Sequence, residues 1–295
     1  MRRQRGVALI VAVLAVALAV LLATALLDQN ERSASRARDR LRAEQTWQLH
    51  LGLEAWAAEA LRLAARERIV RREQDLPPVD VPGARIQGRL RDATACFNLN
   101  TLAPAGRTDA AAVVRFERLL ARLGLDARIA REAADFIDAD GTGAGGAEDA
   151  GYAGVRMPNR PLVHASELRV MRGLGPEAWV RLAPFVCALP ADARTNLNSA
   201  APELWAMLDP RLAQPGLAAR LAVAGNAGYA DMDALRAVLA REGLDDVDLS
   251  PFALHGDYAW AESRIEADGL HFVHTSLLSL REGRIRVLAR ARGGF

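Results

Sequence analysis

The chain has 295 residues, 51% of them hydrophobic and 25% charged, with a formal net charge of +2. That length supports one large or two small domains with real cores, and the balanced charge excludes a disordered or low-complexity chain. All 38 basic residues are arginine, which excludes lysine-dependent and P-loop chemistry, and the two cysteines are too few for a zinc finger or a disulfide-dense scaffold.

Arg2, Arg3 and Arg5 precede Gly6, and Val7 to Leu27 then run without a charge, a glycine or a proline. As a helix this run is about 31 Å long, close to a bilayer core. The arginines should stay in the cytoplasm and place the body across the membrane. A cleaved secretory signal has a shorter apolar run ending in small residues, whereas this one ends in Leu26-Leu27-Asp28. A lipoprotein signal needs a cysteine after the run, and none stands there. A plain signal anchor fits the length. So does a class III (prepilin) leader, residues 1–6, cut between Gly6 and Val7 with the apolar helix 7–27 left intact.

From Asp28 to about Arg72 there is no proline and one glycine, Gly52. Leu41, Trp47, Leu51, Ala55, Ala58, Leu61 and Ala65 recur at three- and four-residue steps, which predicts one continuous helix with an amphipathic second half. Pro77-Pro78 and Pro82-Gly83 are expected to end it. Ala84–Asp92 alternates and reads as a strand. Tyr258–Ala267, Leu270–Leu280 and Arg284–Arg290 read as three more, joined by Asp268-Gly269 and Glu282-Gly283 as hairpin turns. Residues 102–252 are almost all helical. The expected fold class is α+β: a long N-terminal helix packed on a small antiparallel sheet, with a large all-α insertion between the first and second strands. The α/β part spans 28–101 and 253–295. The insertion, 102–252, divides into two helical units at about 102–190 and 191–252.

Three features of the insertion invite chemistry. Asp138-Ala-Asp140-Gly-Thr142-Gly143 followed by Glu148-Asp149 has alternate oxygen donors and glycines. In EF-hand register Asp138, Asp140 and Thr142 are the first ligands for calcium and Asp149 the closing one, with Glu148 one residue short. The alternative is a glycine-rich surface loop without metal. Glu167 to Pro184 reads as helix, Gly173-Leu174-Gly175 turn and helix, a helix-hairpin-helix arrangement that can hold a nucleic-acid phosphate. Leu168, Val170, Leu174, Trp179 and Leu182 would equally pack it as a plain structural module, and the low surplus charge argues against nucleic acid. Cys96 and Cys187 could pair in an oxidising compartment or stay as buried thiols. The histidines His50, His164, His255, His271 and His274 come without a zinc-protease or serine-nucleophile motif. His271 and His274 lie in a predicted strand with no evident carboxylate partner, and a surface or edge position is expected. No catalytic or cofactor-binding residue is predicted, so an enzyme is not expected.

Arg5-Gly6-Val7-Ala8-Leu9-Ile10, Cys96-Phe97-Asn98-Leu99-Asn100, Asp138-Ala139-Asp140, Gly146-Ala147-Glu148-Asp149, Ser166-Glu167-Leu168, Ala188-Leu189-Pro190 and Asn196-Leu197-Asn198-Ser199-Ala200 occur in one order along nearly the whole chain. Together they resemble the GspK family of minor pseudopilins of type II secretion systems. The resemblance implies a pilin-like fold with SAM-like helical units in the insertion. It implies cleavage after Gly6 and methylation of Val7 by a prepilin peptidase, and structural calcium near the 138–149 loop. Most pilin-like subunits carry glutamate as the fifth mature residue, and this chain has Val11 there. A buried carboxylate in an apolar helix is costly without a partner, and a subunit with nothing ahead of it needs none, so Val11 fits the filament tip. The implied partners are the I and J minor pseudopilins and the major pseudopilin, with no nucleic acid. The implied location is the inner membrane, single-pass, with the C-terminal domain in the periplasm. A DNA-binding competence pseudopilin or a type IV pilus tip protein is the alternative.

Overall fold

A computed structural model describes residues 4–66, 73–139, 158–281 and 283–293. Helix α1, Gln4–Arg66, runs unbroken through the apolar run and the charged stretch that follows. Every described side chain from Leu9 to Leu41 is exposed, and contact with the body begins at Arg42. Strands β1 (Glu73–Val81) and β2 (Ala84–Asp92) form a hairpin. The chain then enters β3 (Phe97–Asn98) and helices α2 (Ala110–Arg122) and α3 (Arg128–Ile137). After α3 come α4 (Pro176–Leu182), β4 (Val186–Cys187), β5 (Thr195–Asn196) and α5 (Pro202–Trp205). Helices α6 (Pro215–Ala227) and α7 (Met232–Arg241) precede β6 (Phe252–Ala253). The chain closes with β7 (Tyr258–Ala267), β8 (Leu270–Arg281) and β9 (Arg284–Arg292).

The main sheet is antiparallel, in the order β1-β2-β7-β8-β9. It has five strands where the sequence predicts four. The extra strand is β1, which contains Pro77-Pro78, and Pro82-Gly83 is the β1–β2 turn rather than a helix stop. Proline cannot donate to a ladder, so two prolines are tolerated only where a neighbour is missing. Here they sit on the sheet's outer edge, at a register shift between Leu76 and Val79. The insertion consequently leaves between the second and third strands of this sheet. The β7–β8 turn follows its sequence signal: Asp268 and Gly269 have φ of 51° and 72°, the pair of positive values that a two-residue hairpin turn with right-handed twist requires.

Helix α1 covers one face of the sheet. It rests on Gly88, where a Cβ would lie 2.7 Å from Leu53 Cδ1. Leu53, Ala57, Leu76, Ile86, Leu90, Ile265 and Leu278 fill this layer. The opposite face, with Tyr258 and Leu277, packs on Leu189 and Ala193 of the insertion. The insertion has one large core of its own, in which Trp205, Phe116 and Phe252 are fully buried and Phe116 stacks on Phe97 with ring centroids 4.7 Å apart.

The packing face of α1 differs from the predicted apolar stripe. Leu41 and Ala55 are exposed, and the buried positions are Thr46, His50, Leu53, Glu54 and Ala57. The face has turned by one residue because the sheet opposite it presents polar groups there.

Candidate functional site

The helix–sheet seam is a hydrogen-bonded chain of buried polar side chains. Residues four apart lie on one face of a helix, so Thr46, His50 and Glu54 stand in line on α1. Opposite them are Ser263 of β7, His274 and Ser276 of β8, and Arg290 and Arg292 of β9. His50 Nδ1 lies 2.8 Å from Ser263 Oγ and its Nε2 2.9 Å from Ser276 Oγ. Ser276 donates to Glu54 Oε2, which also accepts from Arg290 Nε at 2.8 Å, while Arg290 Nη2 donates to Glu54 Oε1 at 2.9 Å. Arg292 donates to Glu44 and lies 5.1 Å over the ring of Trp47.

A β-bulge makes the arginine contacts. Leu277 pairs with Ala289 and Leu278 with Val287, which leaves Leu288 unpaired. Before the bulge, Ile285 and Val287 face the helix layer; after it Ala289 faces away and Arg290 and Arg292 point at the helix. One extra residue reverses the alternation and re-aims the side chains.

The environment sets the charge states. Burial opposes the charge of Glu54, but the Arg290 and Ser276 hydrogen bonds outweigh it and hold the carboxyl below its ordinary range. Burial, then the neighbouring His274, push His50 down to about 4. Burial and Arg292 also depress His274. His274 is 3% exposed, so the expected surface position is wrong. Its ring is held edge-on to Trp47 at 5.4 Å. Partners from a distant strand gave no sequence signal.

The insertion is tied by a second kind of site. Cys96 and Cys187 form a disulfide with Cα atoms 5.9 Å apart, beside the parallel pair β3–β4. Asn98 and Asn100 lock the same point. Asn98 Oδ1 accepts from Asn100 N and Leu189 N, and its Nδ2 donates to Pro190 O. Asn100 accepts from Leu162 N and donates to Leu162 O and Leu189 O. Asn196 and Asn198 repeat the device at the parallel pair β5–β6. Asn196 Oδ1 accepts from Asn198 N, and Asn198 bonds Tyr229 N, Tyr229 O and Leu254 O. The two Asn-Leu-Asn segments carry this equivalence in the sequence, though not its purpose: each crosses its unit's closing point and satisfies buried backbone that no sheet reaches.

Of the calcium residues, Asp138 closes α3. It is 4% exposed and accepts from Thr108 Oγ1 at 2.8 Å. Asp140, Thr142, Glu148 and Asp149 lie outside the described residues. Among the described residues no three His, Cys, Asp or Glu side chains cluster as a metal site. Gly6 and Val7 lie in the first turns of α1. The Gly173-Leu174-Gly175 turn lies between a six-residue 3-10 segment, Ala165–Val170, and α4, so its first arm is not an α-helix. Leu168, Leu174 and Leu182 are buried in the core, whereas Val170 is half exposed.

The family description of type II secretion system protein K matches residues 95–191, the segment that the disulfide closes. The type II secretion system protein K of Pseudomonas aeruginosa is 32% identical, over 99% of this chain and 94% of its own length. The chain belongs to the type II secretion system protein K family. The protein K of Pectobacterium carotovorum is 28% identical over 99% and 98% of the two chains. A chain in the crystal structure of the GspK-GspI-GspJ complex from the enterotoxigenic Escherichia coli type 2 secretion system superposes with a TM-score of 0.69 and 27% identity, covering 87% of this chain and all of that one. The protein K fold therefore comprises both the helix-on-sheet body and the insertion.

Proposed function

We propose that this chain is the minor pseudopilin at the tip of a type II secretion pseudopilus. There it nucleates assembly with I- and J-type minor pseudopilins and supports export of folded proteins across the outer membrane. The match to the GspK-GspI-GspJ structure over 87% of the chain carries this reading. It is a structural role: a helix to bundle with, a body to cap with, and no chemistry to perform.

The exposed apolar start of α1 is long enough to cross a membrane. With Arg2, Arg3 and Arg5 before it, we infer a single pass through the inner membrane with the body in the periplasm. A prepilin peptidase would cut after Gly6 and methylate Val7. Loss of the three arginines takes the formal side-chain charge from +2 to −1, so the basicity belongs to orientation and processing. Val11 then leaves no buried carboxylate seeking a subunit ahead. The major pseudopilin would follow beneath.

Calcium belongs to the same proposal. Asp138, Asp140, Thr142, Glu148 and Asp149 supply the hard oxygen ligands that this ion takes, and Asp138 is presented, buried, at the end of a rigid helix. The test is co-purification of the full chain in detergent with I- and J-type minor pseudopilins, with and without a chelator. A stable three-protein complex is expected, with a lower melting temperature in chelator. Failure to co-elute at any calcium concentration would overturn the tip assignment. An unchanged melting temperature would remove calcium alone.

A further inference from the structure

The hydrogen bonds of the seam between α1 and the sheet are satisfied with both histidines neutral. Arg290 fixes Glu54 as an ionised acceptor, and Ser276 gives that carboxylate its only hydroxyl proton. Ser276 can then only accept from His50, so Nε2 of His50 carries the ring proton. Nδ1 is left to accept the hydroxyl proton of Ser263. A second proton on His50 would force Ser263 to turn its hydroxyl hydrogen away from the ring and accept instead, giving up the hydrogen bond it donates. His274 is no better prepared. Its Nε2 lies 3.3 Å from Thr46 Oγ1, and its Nδ1 is buried with no partner among the described residues, so a proton there finds no acceptor among them.

The surrounding charges reinforce this. The two imidazole rings are 5.4 Å apart and would repel once both are charged. From β9, Arg290 and Arg292 add positive charge. From α1, the charge of Glu54 favours a protonated His50, but burial and then His274 outweigh it; Glu44 answers Arg292 at the exposed rim, and Arg42 is paired with Asp268 of the β7–β8 turn. From β7 comes Ser263 alone, and β2 and β1 bring Ile86, Gly88 and Leu76, none of them charged.

We propose that His50 and His274 form an acid-sensitive latch: uncharged, they hold the sheet on the long helix, and charged, they drive the two apart. A histidine whose folded state resists protonation stabilises the fold fully above its unfolded pKa of 6.5, and that stability drains away as the pH falls toward the folded value of about 4. The insertion has an apolar core with no buried histidine pair, and its depressed carboxylates, Glu167, Asp192, Asp209, Asp246 and Asp248, give up their stabilisation only as the pH falls into and below the ordinary carboxylate range.

Hydrogen exchange of the full chain in detergent micelles, corrected for intrinsic rates, tests this from pH 7 to 4. Protection in residues 46–54 and in β8 is expected to fall on the order of a hundredfold between pH 6.5 and 4, with α2 in the insertion retaining its protection. His50→Gln stays neutral and can bond both serines, so its fall should shrink to the carboxylate background. Should that variant not accumulate, His274→Gln removes the other half of the pair and should shrink the fall in part. Equal acid slopes in the native chain and in whichever variant folds would overturn the latch. So would simultaneous loss of protection in seam and insertion.

Discussion

The seam and the insertion solve one problem in opposite ways. Both must join segments far apart in sequence. The seam does so with Thr46, His50, Glu54, Ser263, His274, Ser276 and Arg290, set into the same layer as the aliphatic side chains Leu53, Ala57, Ile86, Ile265 and Leu278. The insertion does so with a continuous apolar core, a disulfide and two Asn-Leu-Asn clamps. Burial of apolar area is strong and undirected, whereas buried polar pairs add little net stability and penalise every misalignment. The seam therefore fixes how a long smooth helix is seated, and the insertion supplies a rigid body.

That contrast predicts an order of effects, headed by the insertion. Replacing both Cys96 and Cys187 by serine opens a loop with a sequence separation of 91. It should cost about 4 to 5 kcal/mol in the chain-entropy view. Denaturant titration should show the insertion unfolding first, with the seam histidines still shielded; concerted loss of both would collapse the distinction. Asn198→Ala comes next. It strands Tyr229 N, Tyr229 O and Leu254 O in a buried site, and about 3 kcal/mol is expected. Glu54→Ala should cost about 2 kcal/mol. A fully buried pair would lose more, but the Arg290 side chain is 42% exposed and water can take over its guanidinium. If Glu54→Ala cost more than Asn198→Ala, the seam and not the insertion would be the stronger joint.

Much of this architecture was legible in advance, for reasons that also explain the gaps. Helix α1 has no internal proline, and strands β2 and β7 match their alternation end to end, with β8 and β9 only slightly longer than predicted. These are local signals. Strand β1 was hidden because Pro77-Pro78 means a stop in a helix and is harmless on a sheet edge. The buried face of α1 was misplaced because an apolar stripe assumes an apolar partner, and His50 faces Ser263 and Ser276 from across the chain. The bulge at Leu288 is invisible to a period-two pattern, so nothing in the strand's alternation announces that Arg290 and Arg292 point at the helix. In the calcium segment Asp138 alone falls among the described residues, and its register there remains a reading of the sequence.

The smallest predicted effect separates charge from stability most cleanly. Arg292 is more than half exposed and its bond to Glu44 is 3.3 Å long between two hydrated groups. Such a pair, with a cation–π contact to Trp47, stabilises by less than about 1 kcal/mol. Arg292→Ala should therefore scarcely move a melting curve. Its charge, however, is one of the two causes that depress His274, after burial. Removing a positive neighbour makes the imidazolium less unfavourable, so the pKa of His274 should rise while His274 stays buried. A proton NMR titration of the His274 ring in Arg292→Ala reads this directly. A rise with unchanged stability places Arg292 as an electrostatic guard over the seam. A fall in stability without a change in titration would make it a packing residue, and the seam would lose its distinction from the apolar core of the insertion.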